Sequence, residues 1–326
     1  MISKRNMLLQ SLAGIGLLSP VVTAAAADYP SKPVRVIVPF PASSLTDAIA
    51  RSVTNLVATD LGVPFIIDSK PGGNTFIGMI AATSAASDGY TLAMVTSAVD
   101  VLQPMLYNKL PYDPGKLAPL AILGSSPYVL VVPPQLNVNS VADLVQMLRA
   151  KPGAYNFGSA GVGTGIHLLG EKFAKDVGVK MEHVQFPGSA PAHLSMIQGD
   201  IQVYFDVLTS ALPMIRSGRL RAIAVGLNSR YPGLPDVPSM AEVGFSGYDM
   251  TAWYGLRVPR ATPAPAIETL TRAINKALGN QALRDQYAGM GLLIAAPGRP
   301  QEMTERIATD QTQWGAILKN QKISLD

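Results

Sequence analysis

Short apolar runs alternate with longer stretches of helical periodicity along this chain, and that alternation restricts the folds open to it. The first run, Val34–Val38, is closed by Pro39 and Pro41 and predicts a buried strand. A helix is expected from about Thr46 to Leu61, a strand at Pro64–Ile67, a helix at Thr75–Ala86 and a strand at Thr91–Val95. After Pro127 the pattern restarts with strand Tyr128–Val132, helix Ser140–Ala150, strand Tyr155–Phe157 and helix Thr164–Val177. It continues through strand Lys180–Phe186, helix Ala190–Gln198, strand Val203–Phe205, helix Ala211–Ser217 and strand Ala222–Val225. Beyond the proline-rich loop Tyr231–Pro238 come a short helix near Ser239–Val243 and an alternating strand at Thr251–Val258. The tail reads as helices at Ala264–Leu278, Gln281–Met290 and Pro300–Gln321. Such a series predicts an α/β fold with open, mostly parallel sheet and helices on both faces. Two blocks and a helical tail predict two lobes, the second inserted into the first. Lobe one then covers 28–127 and the return segment 251–326, lobe two covers 128–250, and Tyr128–Val132 and Trp253–Val258 cross between them.

The first 27 residues follow the pattern of a cleavable secretory signal: Lys4 and Arg5, an apolar core Met7–Leu18, and small residues Ala24–Ala27 before the cut. Ser3–Leu9 also echoes a twin-arginine signal, with Lys4 for the first arginine, so either export route fits. The apolar core is too short to span a membrane, and no later stretch reaches the length a spanning helix needs. A soluble protein outside the cytoplasm is expected. Cysteine is absent, which excludes disulfides, thiolate metal sites and an acylated cysteine anchor. Charged residues make up only 15% of the chain and form no basic run, which argues against nucleic acid. The formal net charge of +4 owes two units to Lys4 and Arg5.

Two segments carry chemistry. In the first, Ser43-Ser44-Leu45-Thr46-Asp47 follows the opening strand and resembles a capping box from Ser44 to Asp47. A strand, a tight loop and a helix start together aim unpaired N–H groups beyond the strand's carboxyl end, a site suited to an anion. In the second, Asn156–His167 places four glycines, Ser159 and Thr164 between a strand and a helix. Gly161 and Gly163 lack the further glycine of a dinucleotide fingerprint, and no Gly-Lys-Ser/Thr ending makes a phosphate loop. A flexible turn and a ligand loop fit this segment equally. No Gly-x-Ser-x-Gly is present, and His167, His183 and His193 have no metal-ligand spacing. His167 stands one turn into the helix that follows the glycines, so it is the candidate histidine; His183 reads as a core or edge residue. Asp206, ending a strand, fits a structural cap or a ligand contact, and Asp100 is similar.

Several motifs, in order, resemble one family. They are Val38-Pro39-Phe40-Pro41, Ser87–Leu92, Leu110–Pro114, Gly158–Gly161 with Gly163-Thr164 and His167-Leu168, Gly188–Ala192, Phe205-Asp206, Leu234–Pro238 and Trp253–Leu256. Over essentially the whole mature chain they resemble the Bug (Bordetella uptake gene) receptors of tripartite tricarboxylate transporters. The resemblance implies a two-lobed periplasmic-binding-protein type II fold with hinge strands between lobes. It implies a periplasmic, non-enzymatic receptor that closes on a small carboxylate-bearing ligand and delivers it to a membrane permease. The ligand contacts it implies lie at Phe40, Pro41, Ala42, Ser43, Ser44 and Thr46, at Thr96, Ser97 and Ala98, and at Ser159, Gly161, Gly163 and Thr164. With His167 and Asp206 these complete the expected site; no metal or cofactor is expected, and the receptor is expected to be a monomer.

The family usually reads Pro-Phe-Pro-Pro-Gly-Gly at the first loop, where this chain has Ala42-Ser43-Ser44. It often has histidine where Asp100 stands, so a ligand bearing an amino or hydroxyl group beside its carboxylate is expected to suit Asp100 and Asp206. Helix-start amides at Ser43–Thr46 and Gly161–Thr164 are expected to hold the carboxylate from opposite lobes. Two other functions share features of this sequence. A sensory accessory protein for a membrane kinase has the same fold, and an exported hydrolase needs a nucleophile and base that only Ser159 with His167 offers.

Overall fold

The computed structural model describes residues 29–319 and 325. The expected signal segment and the end of the last expected helix, at Gln321, lie outside the described residues. Strand β1 (Val34–Val38) forms where its proline boundaries place it, with only Arg35 exposed. Burial on both faces is the mark of a central parallel strand. Strands β2 (Phe65–Ser69) and β3 (Thr91–Thr96) flank it in parallel. The crossovers are α1 (Leu45–Leu61), which buries Ile49, Ala50, Val53 and Val57 along one stripe, and α2 (Phe76–Thr83), shorter at both ends than expected.

After β3 comes a π-helical turn, Ala98–Leu102, and then the short α3 (Gln103–Leu106). Neither was expected. Strand β4 (Leu117–Val132) is a 16-residue strand, where the sequence suggested only its last five residues. Pro119 and Pro127 hide its length. The ladder slips by a bulge at Pro119/Ala121 and another at Ile122/Gly124, and Pro127 falls where β4 changes partners. Prolines are tolerated at such irregularities.

The second block contains α4 (Val141–Ala150), β5 (Asn156–Ser159), α5 (Gly165–Val177), β6 (Glu182–Gln185), α6 (Ser189–Gln198), β7 (Val203–Val207), α7 (Leu208–Arg216) and β8 (Arg221–Val225). Strand β5 lies parallel between β6 and β7, while β7 and β8 pair antiparallel with the last residues of β4. The expected helix at Ser239–Val243 is a turn. A capping box forms at its start, through Ser239 N–H to Glu242 (2.7 Å) and Glu242 N–H to Ser239 Oγ (3.1 Å). Gly244 then takes φ +89°, and Phe245 N–H bonds back to Met240 O, ending the coil after one turn.

Strand β9 (Thr251–Pro259) runs antiparallel between β3 and β4. It is followed by α8 (Ala264–Leu278), α9 (Gln281–Gly289), β10 (Leu293–Ile294), which pairs with β4, and α10 (Pro300–Leu318). The strand order is β2-β1-β3-β9-β4-β7-β5-β6. Each block is parallel, as the alternation predicts, but the junction between them is antiparallel.

This register decides where the functional region falls. Thr96, at the end of β3, pairs with Tyr254, which pairs with Gly124 of β4. Val207, at the end of β7, pairs with Tyr128 of β4. Strand β3 runs with β4 and β7 runs against it, so the two carboxyl ends approach each other. They stop four residues apart on β4, about 13 Å at the usual rise per residue. Ligands of open α/β sheets bind outside strand carboxyl ends. Here two sets of such ends face each other.

Candidate functional site

The loop after β1 is built around one carboxylate. Asp47, 3% exposed, accepts from Arg51 Nε (2.8 Å) and Nη2 (3.1 Å), from Ser69 Oγ (3.2 Å) and from Ser43 N–H (3.3 Å). Hydrogen bonds from Arg51 hold its pKa below the ordinary carboxylate value. Ser44 is the N-cap, its Oγ accepting Asp47 N–H at 3.2 Å. The return bond of the box goes to Ser43 rather than Ser44, and Ser43 sits at φ +67°, in the left-handed region where glycine is at ease. Pro41, Ala42 and Ser43 are exposed, Phe40 and Ser44 half-buried, and Thr46 buried. Among the described residues, Leu45 N–H and Thr46 N–H are the helix-start donors of α1 without a partner.

The glycine loop of the second block is knit more tightly. Ser159, fully buried, accepts Gly161 N–H and donates to Gly161 O, both at 3.1 Å. Gly163 N–H donates to His167 Nδ1 (3.2 Å), and Thr164 caps α5 by accepting His167 N–H. Gly161 and Gly163 take φ +127° and +78°, values that explain glycine at both positions. The amides of Gly161 and Gly163 are therefore already occupied within the loop. Among the described residues, the helix-start donors on this side without a partner are those of Gly165 and Ile166.

His167 accepts through Nδ1, so its proton is on Nε2, which lies 3.7 Å from Glu171. Its ring packs 4.1 Å from that of His183, which in turn stacks on Phe157. His183 Nε2 lies 2.7 Å from Ser159 Oγ. Burial, with His167 adding to it, pushes the His183 pKa down to about 4. His183 is thus a partner of the glycine loop, which the sequence reading missed. The serine–histidine pair considered for a hydrolase does not form: Ser159 meets His183 and has no exposed hydroxyl.

Asp206 and Asp100 are both engaged inside the protein. Asp206 is fully buried and accepts from Ser189 Oγ (2.7 Å) and its neighbour Val207 N–H (2.9 Å), with His193 Nε2 at 2.6 Å. Asp100 pairs with Arg257 of β9 at 3.1 Å beneath the π-helical turn. Asp206 is held on both oxygens by groups of the fold, whereas Asp100 meets Arg257 through Oδ1 only and keeps Oδ2 buried without a hydrogen-bond partner among the described residues. Above Asp100, Thr96 and Ser97 are buried and Ala98 is exposed at the end of β3. Among the described residues no group of three or more His, Cys, Asp or Glu could hold a metal ion, and no helix is long and apolar enough to cross a membrane.

Two parallel blocks joined by antiparallel strands, with carboxyl ends turned toward one another, is the arrangement of a periplasmic-binding-protein fold. Solved structures agree. The Rhodopseudomonas palustris protein Rpa4515, determined with adipate, superposes with a TM-score of 0.81 at 28% identity, over 91% of this chain and 99% of its own. MatC (Rpa3494) from the same species, with bound malate, gives 0.76 at 27% identity, over 89% and 99%. Protein BugT of Bordetella pertussis is 31% identical over 94% of both chains. The sequence model of the tripartite tricarboxylate transporter family receptor, TctC, matches residues 49–323, and the chain belongs to that family. It is a family of periplasmic solute-binding receptors rather than of enzymes.

Proposed function

We propose that this chain is a periplasmic receptor that closes on a small organic acid in the gap between two lobes and delivers it to a membrane permease. The lobes are residues 28–127 with 251–326, and 128–250. The observation that supports the reading is the register: the carboxyl ends of β3 and β7 approach each other along β4, and α1 and α5 follow the strands beside them, β1 and β5. Free amides of Leu45 and Thr46 from one lobe and of Gly165 and Ile166 from the other hold the carboxylate, aided by the helix dipoles. Phe40–Ser44, Thr96–Ala98 and Ser159–Thr164 shape the walls around it. His167 acts from below, through the loop it supports.

Adipate in one relative and malate in another favour a ligand with at least one carboxylate. Closure is a hinge motion in which the ligand shifts an existing open–closed equilibrium. A thermal-shift panel of malate, adipate, benzoate, a neutral sugar and a polyamine tests the reading. At least one acid should raise the melting temperature in proportion to the logarithm of its concentration. A rise with the sugar or polyamine and none with any acid would contradict it.

A further inference from the structure

Gly163 belongs to the second lobe proposed above, and side chains of the first lobe press on it. A side-chain carbon at Gly163 would lie 2.9 Å from Leu325 Cδ1 and 3.0 Å from Leu106 Cδ1, so nothing larger than glycine fits there unless the leucines move. Leu106 ends α3 and is buried. Leu325, near the end of the chain, is half-buried, and its N–H donates to Leu106 O at 3.1 Å. That bond ties the chain end to α3, while the leucine side chain reaches the glycine loop. Both partners have firm backing. Gly163 N–H is held by His167 Nδ1 of α5, and just beyond α3 the Tyr107 hydroxyl accepts from Asn74 Nδ2 at 2.8 Å.

Another side chain of the first lobe, Trp314 of α10, meets the same loop at Gly165, but there the Tyr128 hydroxyl of the crossing strand β4 presses too. The leucine contact has no crossing strand in it. It is apolar, and half-burying one leucine is a gain small enough for a hinge motion to make and break. We infer that Leu106 and Leu325 form an apolar latch on Gly163 that favours the closed arrangement of the lobes. The end of the chain then sets how much of the protein is ready to hold a ligand. When the binding-competent form is only partly populated, every ligand binds more weakly in proportion, whatever its chemistry. This rests on the reading of the chain as a receptor that closes between two lobes.

The test uses L325A and L325D in the full mature chain; Leu325 is half-buried at the chain end, so both variants should fold, and the buried Leu106 is left alone. The chain has no cysteine, so spin labels attach only at introduced ones, Asn55→Cys on α1 and Ala142→Cys on α4, both exposed positions. Double electron–electron resonance without added acid should show the interlobe distance shifted toward the open form in L325A, and further in L325D. Titration calorimetry with malate and adipate should show each acid that binds the unaltered protein weakened in L325A by one shared factor. That factor should be roughly three- to ten-fold, the worth of part of a leucine side chain. Unchanged distances in both variants overturn the latch and leave the receptor standing. A loss confined to one of two bound acids also overturns it, because Leu325 then touches that ligand. An unaltered protein that binds neither acid counts against the organic-acid reading, while the distances still decide the latch.

Discussion

Asp47 sets the shape of the first loop more than any side chain that could touch a ligand. Its carboxylate gathers the Ser43 amide, the Arg51 guanidinium and the Ser69 hydroxyl, and so fixes which N–H groups of α1 stay free. Asp47→Asn keeps the size but removes charge-assisted bonds, and should cost about 1.5–3 kcal/mol of stability at neutral pH. Because the folded pKa is lowered, this contribution is present above the unfolded value and lost as pH falls through the folded one. Urea unfolding should therefore separate the two proteins at pH 7 and bring them together in strong acid; a constant gap would place the effect elsewhere. His183 gives the opposite kind of test. It is held neutral, with a pKa near 4, so the unfolded chain binds a proton that the folded one refuses between about 6.5 and 4. Stability from this group is complete above that window and falls within it as pH drops. Among the groups facing it, His167 adds to the penalty on a proton and Glu171 offsets it. Melting curves of His183→Asn should lose less between pH 7 and 5 than those of the unaltered protein; parallel curves would remove His183 from this role.

At the scale of elements, α10 ties the blocks together. It packs on β4, on the π-helical turn and on α5, with Trp314 set edge-on to Tyr128. Its anchor is Asp310, buried to 1% exposure, which accepts from the Trp253 indole and from Arg306, both at 2.7 Å. Asp310→Ala leaves a buried indole N–H and a half-buried guanidinium without their acceptor, and should cost about 3 kcal/mol or more. Asp310→Asn, which keeps an acceptor, should cost less; equal losses in chemical denaturation would mean that packing, not polarity, is what α10 supplies. Legibility in the sequence also varies by element. Val34–Val38 and Ala264–Leu278 were readable to the residue because prolines and helical periodicity act locally. Strand β4 was not, since Pro119 and Pro127 look like stops until the bulges and the change of partner are known. The π-helical turn depends on an Asp100–Arg257 pair 157 residues apart in sequence, and no local pattern encodes it. Ser159, Thr164 and the first loop stood out because glycines and caps mark helix starts. His183 did not, because it reads alone as an ordinary core or strand residue.

For the whole molecule, register is the fact from which the rest follows. Two parallel blocks joined through antiparallel β4 and β9 turn their carboxyl ends toward one another, and in each block a helix start follows a strand next to those ends. Neither helix start is notable alone; under the function proposed above they neutralise one carboxylate from two sides, and binding is thereby coupled to closure. The same geometry assigns different work to the expected residues. Gly161 and Gly163 shape a loop, His167 supports it, and the donors without a partner among the described residues are the next two residues of α5, Gly165 and Ile166. Amide-resolved NMR during titration with malate or adipate tests this most directly. The account predicts that the amides of Leu45, Thr46, Gly165 and Ile166 shift together along one binding curve, with those of Gly161 and Gly163 moving less. Saturable binding that shifts amides of one block alone, or none of these four, would contradict it.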